Sequence, residues 1–131
     1  MKNNKLTTAE WDLMDAIWSL GGAPSIRDVL EHCYPNGEKA YTTVQTIMNT
    51  LEKKGLLKRK KIGLVHFYTP TKSREEMVRA EMKSVVSRVF DGSIPALANY
   101  LINSENLGLE EIESIKKLLQ QKEEELRSAK S

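Results

Sequence analysis

The chain has 131 residues, 40% hydrophobic and 29% charged, the balance of one folded domain or two small ones rather than of a disordered chain. No apolar run approaches the roughly 20 residues that span a bilayer, and Met1-Lys2-Asn3-Asn4-Lys5 leads into an acidic amphipathic stretch instead of a signal peptide; both predict a cytoplasmic protein. Cys33 is the single cysteine, which excludes an intramolecular disulfide framework and a multi-cysteine metal cluster.

The net charge of +2 conceals a segregation. Residues 1–38 carry 3 basic and 6 acidic groups, and residues 75–131 carry 8 basic and 11 acidic. Between them, residues 39–74 hold 9 basic groups (Lys39, Lys53, Lys54, Lys58, Arg59, Lys60, Lys61, Lys72 and Arg74) against Glu52 alone. A solvated face usually mixes its signs, so the block points either to a polyanionic partner or to an unusual solvated surface.

Thr7 with Glu10 three residues on forms a capping box, and Leu6 and Trp11 occupy the staple positions, so a helix is predicted to start there. Trp11, Met14 and Trp18, with Leu13 and Ile17, give it an apolar stripe, and Gly21-Gly22-Ala23-Pro24 ends it. Ser25 caps a short second helix from Ile26 to about Cys33, with Ile26, Val29, Leu30 and Cys33 inward, and Tyr34-Pro35-Asn36-Gly37 is a turn by composition.

A third helix is predicted from about Thr42 to Lys54, with Val44, Ile47, Met48 and Leu51 as its buried stripe and Gly55 as its C-terminal cap. Its other side carries Thr42, Thr43, Gln45, Thr46, Asn49 and Thr50, all polar and none charged. Exposed helix faces normally fill with Glu and Lys, and Thr and Asn are poor helix formers; a demand other than propensity has put them there. After Gly55 the period changes. Leu56–Lys61 and Leu64–Pro70 read as two strands about an Ile62-Gly63 turn, Val65, Phe67 and Thr69 on one face, His66 and Tyr68 on the other. Three helices and a basic hairpin make a winged helix-turn-helix.

From Ser73 the chain is helical again. Val78, Met82, Val85, Val86 and Val89 form a long apolar stripe, broken by Asp91-Gly92-Ser93; Ile94, Leu97, Ala98 and Leu101 mark a shorter helix, and Leu109, Ile112, Ile115, Leu119 and Leu126 a last one. Three such helices make little core alone, and exposed apolar stripes of this extent mark an interface. Val78, Met82, Val85, Val89, Leu97, Leu101, Ile112, Ile115 and Leu119 are therefore the expected contacts of a two-fold dimer. The predicted fold is mainly α with a small β-hairpin wing: a winged helix-turn-helix domain over residues 1–72 and a helical dimerisation domain over residues 73–131.

Such a module lays its recognition helix in the major groove of duplex DNA while the wing meets the backbone. Gln45 or Asn49 could pair bidentately with adenine, and Thr methyls could meet the thymine methyl, giving an A·T-leaning site. Lys53, Lys54, Lys58, Arg59, Lys60 and Lys61 would meet phosphates, which set affinity and register rather than sequence. The alternative is a winged-helix dimer that acts through protein contacts, its basic run merely solvated. Catalysis has little support. His32 and Cys33 are adjacent, so their side chains diverge by about 100° on a helix and cannot act on one another. Glu75-Glu76 and Glu123-Glu124-Glu125 are helix-surface charge. No Gly-rich phosphate loop or zinc spacing occurs, so neither cofactor nor metal is expected.

Leu6-Thr-x-Ala9-Glu10-Trp11-x-x-Met14, Tyr41-Thr-Thr43-Val44-x-Thr46-x-x-x-x-Leu51-x-x-Lys54-Gly55-Leu56, Phe67-Tyr68-x-Pro70 and Phe90-Asp-Gly92-Ser93 together resemble the penicillinase-repressor (BlaI/MecI-type) family, which includes the CopY-type copper repressors. The resemblance covers nearly the whole chain. It implies a homodimeric repressor whose N-terminal domains bind an inverted-repeat operator and whose C-terminal helices dimerise, with Thr42, Thr43, Gln45, Thr46 and Asn49 at the base-reading positions. Thr50 stands where the family usually has Arg, and the terminal cysteine cluster of the copper-responsive members is absent. In the β-lactam-responsive members a membrane sensor-protease pathway leads to cleavage at an Asn-Phe bond. The nearest pair here is Asn99-Tyr100, whereas ungapped counting back from Leu107 and Ile112 puts the equivalent bond at Tyr100-Leu101, so Asn99, Tyr100 and Leu101 form the candidate cleavage region.

Overall fold

A computed structural model describes residues 5–104 and 106–130; the opening Met1–Asn4 stretch, read above as no signal peptide, lies outside the described residues. Three helices come first: α1 (Thr8–Leu20), α2 (Ile26–Cys33) and α3 (Tyr41–Lys53). Strands β1 (Leu57–Ile62) and β2 (Val65–Pro70) follow, then α4 (Arg74–Val89), α5 (Ile94–Ser104) and α6 (Leu109–Ala129). The mainly helical class with one hairpin wing is thus as the sequence predicts.

The chain divides into two compact units, one reaching Lys83 and one beginning at Ser84. In the first, both helix starts are held by reciprocal caps. The Thr7 hydroxyl accepts from the Glu10 amide at 3.1 Å while Glu10 accepts from the Thr7 amide at 2.8 Å; Ser25 and Asp28 repeat the arrangement. α3 ends in a Schellman motif, the Leu56 amide donating to Leu51 and the Gly55 amide to Glu52. Gly55 takes φ +81° there, a conformation that costs a residue with a Cβ about 1–2 kcal/mol.

Leu13, Met14, Ile17, Val29, Val44, Met48, Leu51 and Tyr68 are almost wholly buried, and Leu6, Ala16, Ile26, Leu56, Leu57 and Met77 complete the core. Trp11, Trp18, Leu30, Cys33 and Ile47 pack at its edge, half-buried. Met77 brings the first turn of α4 into this core. The hairpin pairs Leu57 with Pro70 through to Ile62 with Val65, so its turn is Gly63-Leu64, one residue later than the pattern predicts. Gly63 at φ +64° supplies the positive first position that a two-residue type II′ connection needs. The wing is tied back by the Tyr68 amide donating to the Pro24 carbonyl at 2.9 Å, by Thr71 on Gly55, and by the Trp18 indole on the Lys72 carbonyl at 3.0 Å.

In the second unit, Asp91 (φ 50°) and Gly92 (φ 79°) turn the chain after α4, the Ser93 hydroxyl caps α5 by accepting from the Ala96 amide, and the Phe90 and Tyr100 rings lie 6.0 Å apart. None of the residues of α5 or α6 is buried. Among the described residues no helix is long and apolar enough to cross a membrane.

Candidate nucleic-acid interface

The α3 stripe of Val44, Met48 and Leu51 turns into the core, which leaves Thr42, Thr43, Gln45, Thr46 and Thr50 exposed and Asn49 half-buried on the opposite side. No carboxylate lies in its first turn and no side chain caps its start at Ala40, so the positive end of the helix dipole is left uncancelled. The Thr46 hydroxyl donates to the Thr42 carbonyl at 2.9 Å, and that of Thr50 to the Thr46 carbonyl at 3.0 Å. With the proton turned inward along the helix, each threonine offers its methyl group and its acceptor lone pairs outward. Such a surface can meet a thymine methyl or a base-edge donor without carrying charge.

The basic residues divide by what they already hold. Lys54 places Nζ 2.8 and 2.9 Å from the two oxygens of Glu10 and 3.4 Å from the Lys5 carbonyl. Arg59 lies 3.3 Å from Glu52, and Arg74 lies 2.9 Å from Asp15. Lys53, Lys58, Lys60 and Lys61 are exposed with no carboxylate within ion-pair distance among the described residues. Four ammonium groups on flexible stems, at the end of α3 and along β1, are suited to phosphates, which reward charge more than geometry.

Arg27 belongs by sequence to the acidic block, yet its guanidinium lies 5.6 Å above the Tyr41 ring at the start of α3. Together with Gln45, Leu64, Val65 and His66 it borders a groove of about 360 Å³ between the reading side of α3 and the tip of the wing. Its spacing from α3 in sequence offers no signal for this. Alternation puts Tyr68 on one face of a strand; that face is the buried one, with Tyr68 1% exposed and its phenol oxygen 3.4 Å from Oδ1 of Asn49.

Among the described residues of this unit, the Cys33 thiol is not poised for chemistry. Burial pushes the Cys33 thiol up, and Asp12 and Asp15 push it further, which keeps the sulfur protonated and weakly nucleophilic; it donates to the Asp12 carbonyl at 3.6 Å. No group of three metal-binding side chains occurs among the described residues.

The residues expected to dimerise lie on α4, α5 and α6. Val78, Val85, Leu97 and Ile112 are half-buried, while Met82, Val89, Leu101, Ile115 and Leu119 are exposed. Ile94, Tyr100, Ile102, Leu109 and Leu118 are exposed as well. Asn99, Tyr100 and Leu101 stand inside α5, where the Asn103 amide donates to the Asn99 carbonyl at 2.9 Å and the Ser104 hydroxyl to that of Tyr100 at 2.6 Å.

The model of the penicillinase repressor family matches residues 6–121. The methicillin resistance regulatory protein MecI of Mammaliicoccus sciuri is 26% identical over 121 residues, 92% of this chain and 98% of its own. The penicillinase repressor of Staphylococcus aureus is 25% identical over 90% of this chain and 93% of its own. The transcriptional regulator BlaI of Mycobacterium tuberculosis is 29% identical over 90% of this chain and 85% of its own.

Proposed function

The chain belongs to the penicillinase repressor family and is a DNA-binding transcriptional repressor, and from that premise we propose that it acts as a cytoplasmic homodimer on an inverted-repeat operator. Residues 1–72, with Met77 of the first turn of α4 packed into their core, form the DNA-binding domain, and the remainder of residues 73–131 the dimerisation domain. Thr42, Thr43, Gln45, Thr46 and Asn49 read base edges; Lys53, Lys58, Lys60 and Lys61 neutralise phosphates, with Lys54 and Arg59 at the same border. The observation that carries this reading is the uncharged polar face of α3 set beside four lysines that hold no carboxylate. A solvated helix has no physical need of the first, and a protein-docking wing none of the second.

Dimerisation follows from the apolar side chains that α5 and α6 leave exposed, which a second copy covers by two-fold symmetry. Two recognition helices then enter successive major grooves about 34–36 Å apart, and the bound dimer occludes polymerase. Anything that separates the subunits releases it, because the second half-site is held only by its high effective concentration.

The names of the relatives bring β-lactam resistance genes forward as the regulated class. Induction then runs through a membrane sensor-protease pathway, ending in cleavage next to Tyr100. That bond lies within a helix, and a protease takes its substrate extended, so α5 must open locally first.

Fluorescence anisotropy on DNA from upstream of the protein's own gene, against a scrambled duplex and across a salt series, tests the reading. Tight binding to the upstream DNA alone, at two subunits per site, is expected. Absence of binding to either duplex at low salt overturns it in favour of a module for protein contacts. For induction, the protein co-expressed with its sensor and exposed to a β-lactam is expected to yield fragments split beside Tyr100 by intact-mass analysis; an unbroken chain refutes the cleavage route.

A further inference from the structure

Four side chains link the wing to the reading side of α3. Glu52 and Asn49 stand three residues apart on α3, and so on one side of the helix. Arg59 of β1 lies 3.3 Å from Glu52. Its cross-strand partner is Tyr68 of β2, whose hydroxyl donates to Oδ1 of Asn49 at 3.4 Å. The circuit starts and ends on the recognition helix, and it gives a purpose to Glu52, the one acid in the basic block.

We infer that Tyr68 is a positioning residue for operator reading: by giving its proton to Oδ1 of Asn49, it fixes which end of that amide faces the DNA. The inference rests on α3 being the reading helix.

An asparagine amide is ambivalent, with an acceptor at one end and two donors at the other, and the two ends exchange by rotation about a single bond. Free in solution, Asn49 could present either. A donor buried behind it settles the choice. A phenol accepts as well as donates, but Arg59 already hydrogen-bonds this one; a turned amide would bring Nδ2 in as a second donor to the same oxygen and take away Oδ1, the acceptor of the phenol O–H. Tyr68 is suited to this. It is 1% exposed, so it cannot swing away. Burial raises its pKa, with Arg59 beside it pulling the other way; the net rise keeps the phenol protonated and donating.

The consequence is a defined preference. With Nδ2 outward, Asn49 offers donors to purine N7 or guanine O6 and has nothing to accept the amino group of cytosine. At the base pair it reads, G·C is favoured over C·G. Without the Tyr68 hydroxyl the amide turns freely and cytosine becomes acceptable.

The test uses the full-length protein and a duplex selected from a randomised pool by the wild type. The Asn49-dependent pair is the one whose G·C to C·G exchange no longer matters in Asn49→Ala. Tyr68→Phe keeps the ring in the core and is expected to lower discrimination at that pair roughly fivefold, the scale of one hydrogen bond. Binding to scrambled DNA, its salt dependence and the melting temperature should stay near wild type. Combined with Asn49→Ala, Tyr68→Phe is expected to add nothing. Undiminished discrimination in Tyr68→Phe, or an additive loss in the double variant, overturns the inference while leaving α3 as the reader. Failure of the pool to enrich any sequence, or of Asn49→Ala to alter discrimination anywhere, sinks the parent reading for Asn49 and the inference with it.

Discussion

Lys54 at the end of α3 closes on both carboxylate oxygens of Glu10 in the first turn of α1, 44 residues earlier in the chain. Glu10 is only 5% exposed. Burial alone would raise its pKa, but the Lys54 ammonium and the two Thr7 hydrogen bonds outweigh that and hold it below the ordinary 4.5. A carboxylate with a lowered pKa in the folded state adds stability at pH values above 4.5, and that contribution is lost as pH falls through its folded value. Glu10→Gln leaves a partly buried ammonium without its counter-charge, at a cost of about 2 kcal/mol near neutral pH. Urea denaturation of wild type and variant from about pH 7 down to about pH 3.5 should show this gap narrowing below about pH 4.5. A gap independent of pH would place the cost in packing instead.

The inward donation of the Thr46 hydroxyl makes its methyl group the informative part. Thr46→Val retains the methyl and the volume and should preserve most discrimination for the selected operator, whereas Thr46→Ser keeps the hydroxyl and should lose about 1 kcal/mol of it. Anisotropy titrations on operator and scrambled duplexes decide between them. The reverse order would show that Thr46 reads through its oxygen.

Free and committed cations should differ in salt dependence. Lys60→Ala or Lys61→Ala should weaken binding to every sequence and lower the slope of log K against log salt by about 0.9 for each phosphate left unneutralised. Arg59, held by Glu52, should change the slope by less than half of that when replaced by Ala. Equal slopes for all three variants would mean that the Glu52 pair opens on binding.

The exposed leucines of α6 carry the dimer prediction. Leu119, 65% exposed, should become incompatible with a subunit interface as Leu119→Glu. Sedimentation equilibrium at micromolar concentration should then find a monomer where the wild type is a dimer, and operator affinity should fall at least about 100-fold as the second half-site is lost. A Leu119→Glu protein that stays dimeric would move the interface off this face.

Much of the fold could be read from short-range signals. The Thr7–Glu10 box, the Val44, Met48 and Leu51 stripe, and Gly55 closing α3 all depend on residues within a few positions of one another, and helix period and cap chemistry act over that range. The turn at Gly63-Leu64 falls one residue late because a two-residue loop with Gly first lets Ile62 pair with Val65, and composition alone does not separate Ile62-Gly63 from Gly63-Leu64. Alternation divides β2 into two faces without saying that Tyr68 faces the core. The candidate site is legible as a set of residue types on α3 and β1. What stays hidden is which cations already hold a carboxylate. Glu10 and Lys54 or Arg27 and Tyr41 meet only through tertiary packing, and neither charge counting nor periodicity can register a partner so far along the chain.

The bare surfaces of α5 and α6 bear on dosage. If these helices complete their burial only when two copies meet, a newly made chain is half finished until it finds another, and its lifetime against proteases depends on how many others are present. Occupancy of the operator then rises with roughly the square of copy number while the protein is scarce, and linearly once it is plentiful. A modest fall in synthesis thus empties the operator disproportionately, and recovery after induction lags until the second-order encounter catches up.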